Sequence, residues 1–87
     1  MTYRISIPGR AQRSLNKLPE KVRDAAYAFI MGPLAANPQR VGHPLGAPFQ
    51  GQHTAYRASY RITYRIFEDE VLVEIVRVAH RSDMYRP

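Results

Sequence analysis

Arginine is the residue type best suited to chemistry in this sequence, and it is concentrated in the C-terminal third. Eleven of the 13 basic residues are arginines, and the chain has a formal net charge of +6. Guanidinium groups bind phosphate oxygens through forked hydrogen bonds and stack on bases. Arg61 and Arg65 are spaced to share one face of a strand, and so are Arg77 and Arg81. Such a cluster predicts an anionic partner: a nucleic acid, a membrane surface or an acidic protein.

Tyrosines are interleaved with these arginines, and they favour RNA among the anionic partners. Tyrosine rings stack on unpaired bases, which is a main way in which single-stranded RNA is held. Tyr60 and Tyr64 alternate with isoleucines and are expected in the core, whereas Tyr56 and Tyr85 are expected to be exposed. The residues predicted to contact RNA are Arg57, Arg65, Arg77, Tyr56 and His53.

The histidines and carboxylates give weaker signals. His43, His53 and His80 have no metal-ligand spacing and the chain has no cysteine, so neither a metal nor another cofactor is expected. His80 could transfer a proton near neutral pH, although an ordinary strand-end histidine is an equal interpretation. The acidic residues 68–70 fall on a predicted turn and are expected to be solvated. No Ser-His-Asp order and no glycine-rich phosphate loop is present.

A single α+β domain over residues 1–87 is predicted to position these side chains. Alternating apolar residues predict a strand at 2–7, and apolar residues three and four apart predict two helices between 10 and 36. Gly32-Pro33 should bend the second helix near its end. Residues 37–51, rich in proline and glycine, predict a loop, and strands follow at 53–57, 60–66 and 71–79. The order predicts a short N-terminal strand and two helices on one face of a mainly antiparallel four-stranded sheet.

The sequence also predicts where the protein resides. The N-terminal residues lack the apolar core of a signal peptide. No apolar run approaches the roughly 20 residues that span a bilayer. We therefore expect a cytoplasmic protein without a membrane partner.

Five short motifs, spread in order over nearly the whole chain, resemble those of the RelE/ParE superfamily of bacterial toxins, and of its RelE branch in particular. They are Leu-Asn-Lys-Leu-Pro at 15–19, Gly-His-Pro-Leu at 42–45, Phe-Gln-Gly at 49–51, Tyr-Arg-Ile-Thr-Tyr at 60–64 and Val-Ala-His-Arg-Ser-Asp-Met-Tyr at 78–85. The resemblance implies a RelE-like fold and a ribosome-dependent endoribonuclease that cuts mRNA in the ribosomal A site. The implied reaction is a metal-independent attack of the ribose 2′-OH on the adjacent phosphate. The implied partners are the ribosome with its mRNA and a cognate antitoxin, whose complex with the toxin binds operator DNA.

The resemblance also implies roles for four residues. Arg61 matches the arginine of the family's Tyr-Arg strand motif, and we assign it to the phosphate and the transition-state charge. Arg81 matches the arginine at the end of the last strand, with the same role or as the acid. Tyr85 matches the C-terminal tyrosine, which stacks on a base or acts as the general base, with a pKa lowered by neighbouring arginines. His80 lies where RelE has a lysine and is a second candidate for proton transfer.

One departure from the family leaves two other functions open. The strand before Tyr60 usually carries two or more basic residues in RelE, but here it offers only Arg57 and His53. A ParE-like toxin would bind DNA gyrase and cut no RNA, although that branch generally lacks the tail of His80, Arg81 and Tyr85. A catalytically weak module would act mainly as antitoxin partner and DNA corepressor.

Overall fold

The fold is a five-stranded mixed sheet with helices packed on one of its faces, as seen in a computed structural model that describes residues 2–80. The elements, in chain order, are β1 (Arg4–Ser6), α1 (Gly9–Asn16), α2 (Glu20–Phe29), a π-helical turn (Ile30–Leu34), α3 (Pro38–Val41), β2 (His43–Pro44), β3 (Gln52–Tyr56), β4 (Tyr60–Phe67), a 3₁₀ turn (Glu68–Glu70) and β5 (Leu72–His80). The strand order is β1-β5-β4-β3-β2. β1 runs parallel to β5, and every other pair of neighbouring strands is antiparallel.

The core lies between the helices and one face of β4. Alternation along β4 buries Tyr60, Ile62 and Tyr64, each at most 5% exposed, because successive side chains of a strand point to opposite faces. The two tyrosine hydroxyls donate hydrogen bonds to helix-side carbonyls, from Tyr64 to Pro38 at 2.6 Å and from Tyr60 to Ala25 at 3.3 Å. Satisfied hydroxyls allow these large rings to serve as core residues, as their alternation with isoleucines predicts.

Helix α1 covers the part of β5 that β1 leaves unpaired. β1 pairs with β5 only as far as Glu74. Beyond that point the backbone N–H of Val78 donates to the hydroxyl of Ser14 at 3.0 Å, and this hydroxyl donates to the carbonyl of Ala11 at 2.7 Å. Ser14 thus replaces a missing strand partner, and α1 is held along the edge of the sheet.

The α+β class, the element order and the placement of the helices on one face confirm the fold predicted from the sequence. The predicted number of four strands is one too few, because residues 37–51 contain the short helix α3 and the two-residue strand β2. β2 pairs with β3, and the register places His43 beside Thr54 and Pro44 beside His53. At the place where a bend is predicted, the second helix passes into a π-helical turn that contains Pro33.

None of the helices within residues 2–80 combines the length and the apolar character that crossing a membrane requires.

Candidate functional site

One face of the sheet is covered by none of the helices within residues 2–80, and this helix-free face carries most of the predicted RNA-binding residues. On β4 this face consists of Arg61, Thr63 and Arg65, which alternate with the buried core residues. The register places Tyr56 opposite Arg61 on β3, and Arg77 opposite Thr63 on β5. Arg61, Arg65, Arg77 and Tyr56 therefore share one face, and directly opposed side chains lie about 5 Å apart at their β-carbons.

A bulge in β5 puts Arg77 on this face. Thr63 pairs with Arg77 but Tyr64 pairs with Ile75, so Val76 is an extra residue between them. Without it, strict alternation from Glu74 would turn Val78 outward and Arg77 toward the core. With it, Val78 is 2% exposed and Arg77 is exposed. The bulge thus turns the Arg77 side chain to the helix-free face.

A groove of about 400 Å³ runs over this face. Its lining combines cationic, hydroxyl, amide and apolar groups. The lining residues are Leu45, Phe49, Gln52, Thr54, Tyr56, Arg61, Thr63, Val76 and Arg77. Two of them, Phe49 and Tyr56, are large rings with 54% and 52% of their surface exposed. Exposed rings beside guanidinium groups form the kind of surface that binds bases and phosphates of single-stranded nucleic acid.

The floor of the groove contains a polar group without a partner. Thr54 is 1% exposed, and within residues 2–80 its hydroxyl oxygen makes no hydrogen bond. A buried hydroxyl in this state costs folding free energy.

The cationic surface continues from the groove onto α1. A second cavity of about 460 Å³ is lined by Arg10, Arg13 and Lys17 of α1 together with Arg77. Arg77 borders both cavities. Since α1 covers the edge of β5, its outer basic face lies beside the sheet rather than behind it. The sequence places these three residues on the polar side of a helix but does not connect them with the sheet.

Two residues predicted to contact RNA lie on the other side of the sheet. The Arg57 guanidinium carbon is 3.9 Å from the ring centroid of Phe29 in α2, a cation–π contact on the helix side. His53 pairs with Tyr64 in the register, and their rings stack at 5.7 Å. Burial, with a smaller contribution from His43, lowers the pKa of His53, although Glu68 opposes the shift. The structure therefore does not bring Arg57 or His53 to the groove.

Of the four residues predicted to be catalytic, the structure describes two, Arg61 and His80. Arg61 lines the groove. His80 pairs with Tyr60, so the register places it on the helix side at the end of β5. Arg81 and Tyr85 lie outside the described residues. Burial raises the pKa of Tyr60 and raises that of Tyr64 to about 12, so neither phenol is a proton acceptor near neutral pH.

The chemistry available in the groove is binding and charge stabilisation. Its guanidinium groups can neutralise a phosphate, and its rings can stack on a base. The residues that line it include no carboxylate, histidine or lysine among those described. In the described part of the chain, no three histidine or acidic side chains are grouped so that they could hold a metal ion.

Sequence reasoning missed Phe49, Leu45 and Thr54 as parts of the site. Phe49 occurs in a loop rich in proline and glycine, where a large apolar ring has no core to join. That local contrast is the signal that could have identified it. The position of Thr54 depends on its register opposite Thr63, which no local pattern specifies.

Comparison with known proteins shows which family the chain belongs to. Residues 5–85 match the family model described as ParE toxin of type II toxin-antitoxin system, parDE. The chain is 43% identical over 84 residues to Toxin RelE of Mycobacterium tuberculosis, covering 97% of this chain and 87% of that protein. It is 41% identical over 86 residues to Toxin RelG of the same organism, covering 99% of each.

The fold is also similar to that of toxins in solved toxin–antitoxin complexes. The crystal structure of the toxin-antitoxin complex RelBE2 from Mycobacterium tuberculosis contains a chain that superposes with a TM-score of 0.91 at 38% identity. The match covers 93% of this chain and 100% of that one. The Escherichia coli RelBE complex matches with a TM-score of 0.73 at 19% identity, covering 88% and 94% of the two chains, which is a likeness of fold alone.

Proposed function

Because this chain belongs to the RelE/ParE superfamily of type II toxin–antitoxin toxins, we propose that it is an endoribonuclease that cuts mRNA in the ribosomal A site and so inhibits translation. The observation that carries the proposal is the groove on the helix-free face, where Arg61 and Arg77 lie beside the exposed ring of Tyr56. Its cations and ring suit a single-stranded RNA substrate better than a protein surface.

The proposed reaction is transfer of the phosphate to the neighbouring ribose 2′ oxygen. The 2′-OH loses a proton and attacks phosphorus, the bond to the 5′ oxygen breaks, and that oxygen gains a proton. The products are a 2′,3′-cyclic phosphate and a free 5′-OH, and no metal takes part. Positive charge on the phosphorane stabilises the transition state, and we assign this role to Arg61. Arg77 and Arg65 bind neighbouring phosphates.

Proton transfer is assigned to the C-terminal residues. The groove residues described above include no carboxylate, histidine or lysine, which favours a base contributed by the end of the chain. Tyr85 is the proposed base or a stacking residue, and Arg81 shares the phosphate or acts as the acid. His80 is the second candidate for proton transfer. Arg57 and His53 remain candidates for contacts with RNA outside the groove.

A cognate antitoxin is the proposed protein partner. The related RelBE2 toxin of Mycobacterium tuberculosis was solved as a toxin–antitoxin complex. The net charge of +6 favours a partner with acidic segments. We further propose that the toxin–antitoxin complex binds operator DNA, and that the protein acts in the cytoplasm.

The test is a mapping experiment on ribosomes programmed with a defined mRNA. Purified toxin should produce cuts within the A-site codon, seen as reverse-transcription stops, and 5′-OH ends that polynucleotide kinase labels without prior phosphatase treatment. Arg61→Ala should lower the cleavage rate about 10²–10³-fold, as expected for loss of one group that stabilises transition-state charge. Arg40→Ala, which removes an exposed arginine of α3 outside the groove, is the matched control and should cut at the normal rate. Intact mRNA with wild-type toxin would contradict the proposal.

A second candidate function has a specific observation in its favour, since the family model that matches is the ParE one. A ParE-like toxin would inhibit DNA gyrase without cutting RNA. A gyrase supercoiling assay with the same preparation distinguishes the two: inhibition of supercoiling with intact mRNA supports the gyrase function. If neither activity appears, the chain acts as an antitoxin-binding corepressor module.

A further inference from the structure

We propose that Phe49 and Tyr56 form a platform that stacks on one base of the bound RNA, and that His43 holds the Tyr56 ring in place. The inference rests on the proposed function, because it names the part of the substrate that this side of the groove recognises. It gives a role in RNA binding to two residues, Phe49 and His43, in addition to the arginines that bind phosphate.

Exposure of the two rings is the first argument. Three large apolar or aromatic side chains are exposed among residues 2–80, namely Met31, Phe49 and Tyr56. Two of the three line the same groove, although they come from different parts of the chain. Single exposed apolar residues are common, but adjacent ones mark binding surfaces.

Backbone hydrogen bonds fix the position of Phe49 without burying its ring. The N–H of Phe49 donates to the carbonyl of Gly46 at 2.9 Å, and the carbonyl of Phe49 accepts from the N–H of Gln52 at 3.1 Å. Both of its main-chain groups are therefore engaged in tight turns that lead into β3. A ring held by its backbone and left half exposed is available to a ligand at little cost in conformational entropy.

Stacking fixes the second ring. His43 in β2 lies 5.7 Å from the Tyr56 ring between centroids, with 22° between their planes. The imidazole is exposed and covers one face of the phenol. A base that stacks on the platform then meets a ring whose orientation is already set. The proposal gives β2 a role, because this two-residue strand at the edge of the sheet holds His43 beside the Tyr56 ring.

Charge next to the rings indicates a nucleotide rather than an apolar peptide. Arg61 is the direct cross-strand partner of Tyr56, and Arg77 lines the same groove. A base and its own phosphate are separated by one sugar, so a base on the platform places its phosphate beside these guanidinium groups. Every base has a flat face that can stack, and the strength of stacking provides a modest preference among bases.

The experiment reads stacking directly, without requiring cleavage. Ribosomes are programmed with mRNAs that carry 2-aminopurine at one A-site position in turn and 2′-O-methyl groups that block the reaction. The fluorescence of 2-aminopurine responds to stacking, and the chain has no tryptophan that would contribute to the signal. Wild-type toxin should change the fluorescence at one position. Phe49→Ala and Tyr56→Ala should abolish the change and weaken binding roughly 5- to 150-fold.

Matched variants keep the result interpretable. Tyr56→Phe and Phe49→Tyr retain the rings and should keep the fluorescence change. Met31→Ala removes an exposed side chain outside the groove and should behave as wild type. Unmodified mRNA is cut in a parallel sample. If wild type cuts there but Phe49→Ala gives the full fluorescence change, the platform is overturned and the proposed function stands. If wild type fails to cut, the proposed function falls and the inference falls with it. Weakened antitoxin binding with unchanged fluorescence would assign the platform to protein contacts and overturn it too.

Discussion

Gly42 should tolerate no side chain, and Gly42→Ala tests how tightly β2 is held against the sheet. A β-carbon at this position would lie 2.5 Å from the carbonyl oxygen of Thr54 and 2.5 Å from the hydroxyl oxygen of Tyr64. The carbonyl belongs to the middle of β3, and the hydroxyl is committed to a buried hydrogen bond with the carbonyl of Pro38. Neither atom can retreat without breaking a contact. β2 must therefore move away from β3, or the bond to Pro38 must be lost.

The expected cost is the sum of two contributions. Overpacking in a close-packed region costs about 1–3 kcal/mol, and leaving the Pro38 carbonyl unsatisfied costs about 1–3 kcal/mol. The combined loss, about 4 kcal/mol at the middle of these ranges, would lower the melting temperature of a domain of this size by roughly 16–32 °C. Because Gly42 precedes His43, the same displacement should disturb the Tyr56 ring and the groove.

Thermal unfolding followed by far-ultraviolet circular dichroism measures the effect. Gly46→Ala is the matched control, since a β-carbon there meets nothing within 4 Å, and it should change stability by less than about 0.5 kcal/mol. Equal melting temperatures for the two variants would refute the reasoning, because they would show that β2 is not packed against Thr54 and Tyr64 as described.

Three further predictions concern buried polar groups. Thr54→Val removes a buried hydroxyl that has no partner within residues 2–80, so urea unfolding should show a gain of about 1 kcal/mol; a loss of stability would mean that the hydroxyl is satisfied. Ser14→Ala leaves the N–H of Val78 unpaired and should cost about 1–3 kcal/mol, whereas an unchanged unfolding midpoint would show that α1 does not complete the edge of β5. The third concerns Tyr64, because burial raises the pKa of its hydroxyl to about 12. The unfolded chain releases this proton near pH 10, so stability is intact below pH 10 and falls by about 2 kcal/mol as the pH rises to 12. In Tyr64→Phe this part of the alkaline decline should be absent, and an equally steep decline in the variant would contradict the assignment.

The long strands were predictable because their signal is local. In β4 polar and apolar residues alternate strictly, so the sequence predicts both the strand and the burial of Tyr60 and Tyr64. The helices follow from apolar residues three and four positions apart, and the departure from α-helical geometry near Pro33 follows from the chemistry of proline. The shared face of Arg61 and Arg65 follows from the same alternation.

The remaining features depend on contacts distant in sequence. Residues 76–79 of β5 read Val-Arg-Val-Ala, which specifies no face, and only the pairing with β4 shows that Val76 forms a bulge and turns Arg77 outward. β2 is too short to produce a pattern and contains a proline, so its existence depends on β3. Charge and a position in the strand before Tyr60 assign His53 and Arg57 to the RNA surface, whereas the register and the ring of Phe29 place them on the helix side.

The central claim is that the helix-free face holds the RNA phosphates, and two arginines test it most directly. Arg77 lines the groove, whereas Arg57 lies over Phe29 on the opposite side. Single-turnover cleavage of A-site mRNA should slow about tenfold or more in Arg77→Ala, as expected for loss of a charged hydrogen bond to phosphate. Arg57→Ala removes the same charge from the opposite side of the sheet and should slow cleavage much less than Arg77→Ala does. A slow Arg57→Ala beside a normal Arg77→Ala would contradict the account, because it would place the substrate on the helix side of the sheet.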